Sequence, residues 1–458
     1  MITMFKKLAL FMSLLALLGL AACSRPGKET PKPEDLDPKE PLTICFDLDA
    51  SFDPRHFDFD SGQAKYTGAK LRQEAVDGFL EELAAVGGPR NVQVEFLEDL
   101  GSDREGQLTR LRAELMAGEG PDLFVLRQNG ASDLFLFPEK KMEDGLFLCL
   151  DGYMERARFM EPDKMLSPVF DAGKSSDGRR FLLPVTYDID AALMRSSYLH
   201  TDPGQKLTLS DLLDPEGPLG SALSLWHNKE FDECFTGIYP ALGQLADYKA
   251  ESLNFSKEEL GEFFSELLEY ERRVHSGEIA SPSGVFTGDI AHANADLASR
   301  QWAMEPVTMV PLYDSDGGVT ARVDVFAGVN ANAKNPAGAF FAADLLLDRE
   351  YMQDSDIHMY LWCNALPIYT DLFGPDTTVP YIREAFSGGG DLRDGLQGSC
   401  WEAFGELLEE ITGAEFPTKL DTEISRGYYA YFSAESDAAR QKAVSDAYTT
   451  MSMLLGES

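Results

Sequence analysis

The chain has 458 residues, 44% of them hydrophobic, and a formal net charge of −37 from 77 acidic against 40 basic side chains. That length and apolar content allow two large lobes, each with a core. A surface this negative repels phosphate backbones and excludes nucleic acid as a partner, and solubility in an extracellular setting accounts for it without any acid-binding role.

The first elements in chain order form a leader. Lys6 and Lys7 precede an apolar run from Leu8 to Leu20, the outline of a secretory signal and too short to span a bilayer in the usual way. Its end, Leu20-Ala21-Ala22-Cys23, resembles the lipobox of bacterial lipoproteins. The resemblance implies a signal peptide over residues 1–22 and a lipid anchor of the diacylglyceryl and palmitate type on Cys23, holding the protein at the extracytoplasmic face of a membrane. An ordinary cleaved signal with an incidental cysteine, or a retained anchor helix, are the competing readings. Residues 23–41 carry Pro26, Pro31, Pro33, Pro38 and Pro41 among charged residues, so they form an extended, solvated tether with a reach of up to ~50 Å. No later segment is long and apolar enough to cross a membrane.

The body begins with a buried strand over Pro41–Leu48. A helix is expected over Gln63–Val86, where Leu71, Ala75, Phe79, Leu80 and Leu83 recur at helical spacing before the breaker Gly87-Gly88-Pro89. Asn91–Leu97 alternates as a second strand, Asp103–Met116 is a second helix that stops at Gly118, and Leu123–Leu126 is an apolar third strand. The order β-α-β-α-β implies a mostly parallel sheet with right-handed crossovers. Further on, Asn335 and Pro336 are an N-cap and a first-turn proline for a helix over Ala337–Leu347. Six cysteines include Cys23. The other five, Cys45, Cys149, Cys234, Cys363 and Cys400, lack CxxC or metal-ligand spacing, so at least one thiol stays unpaired within the chain and buried thiols are expected.

Several segments, in order, resemble the extracellular solute-binding proteins of ABC importers, in the family that includes maltose-binding protein. Gln107–Leu126, with Gly118-Glu119-Gly120-Pro121-Asp122 at its turn, looks like the helix, turn and strand of that family. Arg180–Leu193 resembles the first crossing between its lobes, although Met194–Leu199 departs from the run that usually follows. Met309–Tyr313 with Gly317-Gly318 is similar to the second crossing, Phe326–Pro336 to the next strand and helix start, and Ala365–Ile368 to the third crossing. The resemblance implies an α/β, type II periplasmic-binding-protein-like fold: two α/β lobes joined by a hinge of three crossing strands. One lobe would comprise residues 42–186 with 312–364, and the other 187–311 with 365–458. A cleft between them would open and shut about the hinge, with ligand favouring the closed form.

A sugar cleft needs aromatic faces for the ring and acids or amides for the hydroxyls. By position in the family, the loop after the third strand offers Arg127, Gln128 and Asn129, and the first crossing offers Asp188 with Tyr187 beside it. Loops at strand carboxyl ends are where open α/β sheets hold ligands, which supports the first set. The bland alternatives are a solvated loop and a hinge strand whose polar groups serve the backbone. Trp226, Trp302, Tyr313 and Trp362 are the aromatic candidates, each competing with a simple core role.

Enzyme motifs are missing. The histidines form no HExxH pair, and no GxSxG elbow, P-loop or strand-linked GxGxxG occurs. Gly388-Gly389-Gly390-Asp391 lacks the lysine that phosphate would need, and the acids from Asp47 to Asp60 lack EF-hand spacing, so neither cofactor nor metal is expected. The expected role is that of a monomeric, lipid-anchored receptor that binds a small solute, a mono- or oligosaccharide, and delivers it to the transmembrane subunits of an ABC permease. A surface-anchored glycan or peptide hydrolase and a non-transport adhesive or sensory lipoprotein are the alternatives.

Overall fold

Extended, β-branched and aromatic residues after Pro41 form the first strand, β1 (Leu42–Phe46), with all but Thr43 buried. The structure is a computed structural model that describes residues 35–48, 57–58, 63–64, 68–97, 102–128, 133–195, 206, 242–276, 285–289, 307–311, 313, 317–361, 365–372 and 405–457. The leader and Cys23 lie outside them.

A small hairpin, β2 (Phe57–Asp58) with β3 (Gln63–Ala64), takes up the start of the expected first helix, so α1 spans Gly68–Ala85 instead. It ends at Gly87, whose φ of 94° suits only a residue without Cβ. β4 (Val92–Phe96), α2 (Ser102–Met116) and β5 (Leu123–Arg127) complete the alternating run. After it come α3 (Pro138–Glu143), with proline in its first turn, then β6 (Leu182–Asp188) and β7 (Asp190–Arg195). The hairpin β8 (Ala246–Asp247) and β9 (Ser252–Leu253) precedes α4 (Lys257–His275), β10 (Val285–Asp289), β11 (Val307–Pro311) and β12 (Val319–Val329). α5 (Pro336–Leu346), β13 (Leu366–Pro367), β14 (Ile411–Glu415), α6 (Lys419–Phe432) and α7 (Asp437–Glu457) close the chain. Asn335 caps α5 by accepting from the Gly338 N–H at 2.8 Å.

The strands make a seven-stranded sheet in the order β13-β6-β12-β5-β1-β4, with β14 added to β12, and a three-stranded antiparallel sheet in the order β10-β7-β11. β1 is parallel to both β4 and β5, as the alternation of strands and helices requires. The chain leaves the larger sheet where β6 gives way to β7 across Ile189, and it returns between β11 and β12. Ile368, Tyr369 and Leu372, just past β13, are buried in the larger core, as are Leu407, Ile411 and Phe416 around β14. The segments 365–372 and 405–416 pack with the larger sheet, because β13 and β14 extend its hydrogen-bond ladders. A second core is helical, built by Leu260, Phe264 and Leu267 of α4 against Leu420, Ile424 and Tyr428 of α6 and Met451 and Leu455 of α7. Cys45 and Cys149 are buried free thiols in the larger core.

Two buried carboxylates fasten the larger sheet to its surroundings. Asp122, before β5, accepts from Thr43 N (2.8 Å) and Oγ1 (2.7 Å) on β1 and from Lys334 N at 2.6 Å before α5. Asp344, the one acid in the apolar helix α5, accepts from the backbone N–H groups of Arg158 at 2.6 Å, Phe159 at 3.3 Å and Met160 at 2.9 Å. Burial pushes the Asp344 carboxyl above its ordinary value, and those N–H groups pull it back. Asp344→Ala strands buried donors in an apolar setting and is expected to remove about 3 kcal/mol of stability. A urea midpoint equal to that of the parent protein would show that the Asp344 contacts carry none of it.

Candidate functional site

β12 is eleven residues long and begins as an alternating strand, with Val319, Ala321 and Val323 buried and Thr320, Arg322 and Asp324 less so. The alternation stops at Asp324, after which Val325, Phe326 and Ala327 are all buried. The ladder shows why. Against β6 the register shifts between Val323 and Val325 and again before Phe326, so Asp324 sits in a bulge with no residue directly opposite. Bulges of this kind re-aim a side chain at the rim of a sheet.

The other edge of β12 is shared by two strands. β5 pairs antiparallel with Val325–Val329 and β14 pairs parallel with Val319–Arg322, so the ends of β5 and β14 meet near the bulge. Arg127, Asp188, Arg322, Asp324 and Glu415 therefore converge at the end of the sheet from which the chain leaves for the second sheet. The Asp324 carboxylate lies 4.0 Å from Arg127 Nε and 3.4 Å from Thr186 Oγ1, and Thr186 Oγ1 in turn accepts from Val325 N at 3.0 Å. Asp188 Oδ1 accepts from Ile189 N at 2.7 Å at the point of departure. Beside them, at the carboxyl end of β1, Arg104 grips Asp47 through two hydrogen bonds of 2.8 and 2.7 Å, both side chains being buried.

Chemically the cluster offers acceptors on Asp188 and Asp324 and a guanidinium on Arg127; Arg127 and Asp188 end β5 and β6, and strand carboxyl ends are where small polar ligands bind in open α/β sheets. Among the described residues no group of three or more His, Cys, Asp or Glu side chains is placed to hold a metal. A groove of about 680 Å³ does exist elsewhere, between α4 and α7, lined by Lys257, Arg272, Tyr431, Asp437 and Arg440. Its charged walls are engaged with one another, as in the 3.0 Å pair of Arg440 with Asp437, and it shares no residue with the cluster.

The residues singled out in the sequence fall into three groups. Arg127, Gln128, Tyr187 and Asp188 come together around the bulge, but with different roles. The Arg127 side chain keeps 18% of its surface exposed. Gln128 is 2% exposed, and its amide donates to Pro417 O at 2.7 Å and Phe135 O at 3.2 Å, so it ties the chain together rather than facing a ligand. Tyr187 is 1% exposed and belongs to the larger core, where burial holds its hydroxyl well above the usual phenol range. Tyr313 stands apart from them, half-buried, with the Lys206 ammonium 5.0 Å from its ring centre and that ammonium 3.1 Å from Glu410. Asn129, Trp226, Trp302 and Trp362 lie outside the described residues. Sequence reasoning passed over Asp324 and Thr186, although the broken alternation in Val319–Val329 marks the bulge.

Neither a family model nor a curated protein matches the sequence. Solved structures do match in backbone. The bacterial solute receptor AcbH, described as preferring β-D-galactopyranose, aligns at 10% identity over 92% of this chain and 99% of its own, with a TM-score of 0.58. The galacto-N-biose/lacto-N-biose I-binding protein of an ABC transporter from Bifidobacterium longum aligns at 13% identity over 92% and 98%, with a TM-score of 0.55. An extracellular solute-binding protein, family 1, from Alicyclobacillus acidocaldarius aligns at 15% identity over 92% and 100%, with a TM-score of 0.53.

The chain has the type II solute-binding-protein fold. Within that fold the cluster around Asp324 lies where the two sheets exchange strands. Gln128→Leu removes both amide hydrogen bonds and leaves two carbonyls unpaired, an expected loss of about 2–4 kcal/mol read as a lowered urea midpoint. An unchanged midpoint would mean that the Gln128 amide is free to serve something other than Phe135 and Pro417.

Proposed function

We propose that this protein is the solute receptor of an ABC importer, which captures a mono- or oligosaccharide between its lobes and hands it to a membrane permease. The observation that carries the reading is the convergence of Arg127, Asp188 and Asp324 at the strand exchange of a solute-binding fold. Structures that share the fold over nine-tenths of this chain are described as binding galactopyranose and lacto-N-biose. In this reading Asp188 and Asp324 accept from sugar hydroxyls and Arg127 donates to ring or hydroxyl oxygens. The remaining assignments belong to the same proposal: Gln128 and Tyr187 as supports, and Asn129, Trp226, Trp302, Tyr313 and Trp362 as further cleft residues. Residues 42–186 with 312–364 form one lobe, and 187–311 with the C-terminal part form the other, less the segments that join the larger sheet.

The receptor does no covalent chemistry and works as a monomer. Its contribution is a higher affinity for ligand in the closed form than in the open one. A melting-temperature screen of the body from residue 35 onward against sugars, polyols, amino acids and peptides tests the ligand class. A sugar at a hundred times its dissociation constant is expected to add about 2.7 kcal/mol, and Arg127→Ala should abolish that gain while the unliganded protein melts as before. A flat response to every sugar, with a rise for peptides or amino acids, would overturn the choice of ligand.

The same proposal places the protein on the outer face of a membrane through lipid on Cys23, with residues 23–41 as a tether. Among the described residues no helix is long and apolar enough to cross a membrane. Cys23→Ser is expected to move the protein from the membrane fraction to the soluble extracytoplasmic fraction. Retention of the Cys23→Ser protein in the membrane would sink the lipid anchor but not the receptor.

A further inference from the structure

The contact between α3 and the turn joining β14 to α6 is independent of the sugar-binding reading, and neither Glu139 nor Asp421 belongs to the cluster around Asp324. Phe416 N donates to Glu139 Oε1 at 3.2 Å, and Lys419 N donates to Leu136 O at 3.3 Å. The buried Lys140 ammonium donates to Leu455 O on α7 and pairs with Glu251 at 2.8 Å. Phe137, next to α3, packs in the helical core, with its ring 5.9 Å from that of Tyr248. α3 is thus the part of the larger body that reaches into the helical one.

At the middle of this contact is an unanswered oxygen. Glu139 is partly covered as a residue, yet its Oε2 is sealed from solvent and meets no donor among the described residues. A carboxylate needs donors at both oxygens, and a sealed one without them favours its neutral form. What faces it makes ionisation harder still. From α6 comes Asp421, whose carboxylate is held by Thr418 N at 2.6 Å and Thr418 Oγ1 at 3.1 Å in the helix cap. The acid Glu415 on β14 and the phenol Tyr248 near β8 share the same enclosure. Lys140, next in sequence, is engaged with Leu455 and Glu251, and the charge of Arg322 on β12 acts on Asp421.

We propose that this contact is a latch between the larger and helical bodies, closed when Glu139 carries a proton and loosened when it ionises. Burial is the main cause, helped by the charge of Asp421 and opposed by two backbone N–H groups, and together they push Glu139 up to about 7. The sign follows from linkage. A carboxyl raised above its open-state value of 4.5 binds its proton more tightly in the closed latch, so closure is strongest at low pH and is lost as pH rises towards 7. Between about pH 5 and 7 the closed-to-open ratio should fall by up to roughly tenfold per pH unit, and above about pH 7.5 it should be flat.

Hydrogen exchange on the full chain from pH 5 to 8.5, corrected for intrinsic exchange, tests this in peptides covering residues 133–143 and 416–421. The parent protein should lose protection there with rising pH while the amides of β1 and β5 keep theirs. Glu139→Gln, which stays neutral and can donate, should hold the contact closed across the range. Parallel profiles for the parent and Glu139→Gln, or an equal loss throughout the larger sheet, overturn the proposal. Should Glu139→Gln fail to fold, Asp421→Asn serves instead: removing that charge makes the ionised closed form less unfavourable, so the loss of protection should be smaller and should level off at a lower pH, and a profile with the parent's depth overturns it equally.

Discussion

Along one edge of β12, two strands running in opposite directions meet end to end, and the backbone between them must find hydrogen bonds that no ladder supplies. Gln128 closes that gap. Its N–H donates to Asp324 O at 2.6 Å and its amide reaches Pro417 O at 2.7 Å, so the end of β5, the bulge of β12 and the exit from β14 become one unit. The rest follows from this closure. The bulge takes Asp324 out of direct pairing with β6, its carboxylate comes near Arg127 and Thr186, and the polar cluster is held on a rigid sheet rather than on a loop.

Much of this was legible in the residues because it depends on local rules. The alternation of apolar strands and helices between Pro41 and Leu126 dictates a parallel arrangement, and β1 with β4 and β5 has it. Asn335 and Pro336 announce the start of α5, and the structure supplies the cap. What was not legible depends on partners far apart in the chain. Nothing near Gln128 says that its amide is spent on Phe135 and Pro417, 289 positions away in the second case. The same holds for β14, whose five residues Ile-Thr-Gly-Ala-Glu have little apolar pattern and become a strand only because β12 offers them an edge. The pairing of Phe57–Asp58 with Gln63–Ala64 displaced the start of α1 for a similar reason, one that helical periodicity cannot register.

Burial separates the charged groups of the larger body into two kinds. Asp122, Asp344 and the Asp47–Arg104 pair are buried and fully answered by donors, and they fasten elements in place. Glu139 is answered at one oxygen only. It leaves the other oxygen at the contact between two bodies, where a change of a single charge acts on how they are joined.

Asp122 has a consequence for how such a chain comes into being. Its donors come from β1 and from the start of α5, with the whole excursion through the second sheet synthesised between them. The Asp122 carboxylate thus has all its donors only when the start of α5, 212 positions later in the chain, has come to lie beside β1 and β5, and the parallel core and the strand that returns from the second sheet are tied into one body.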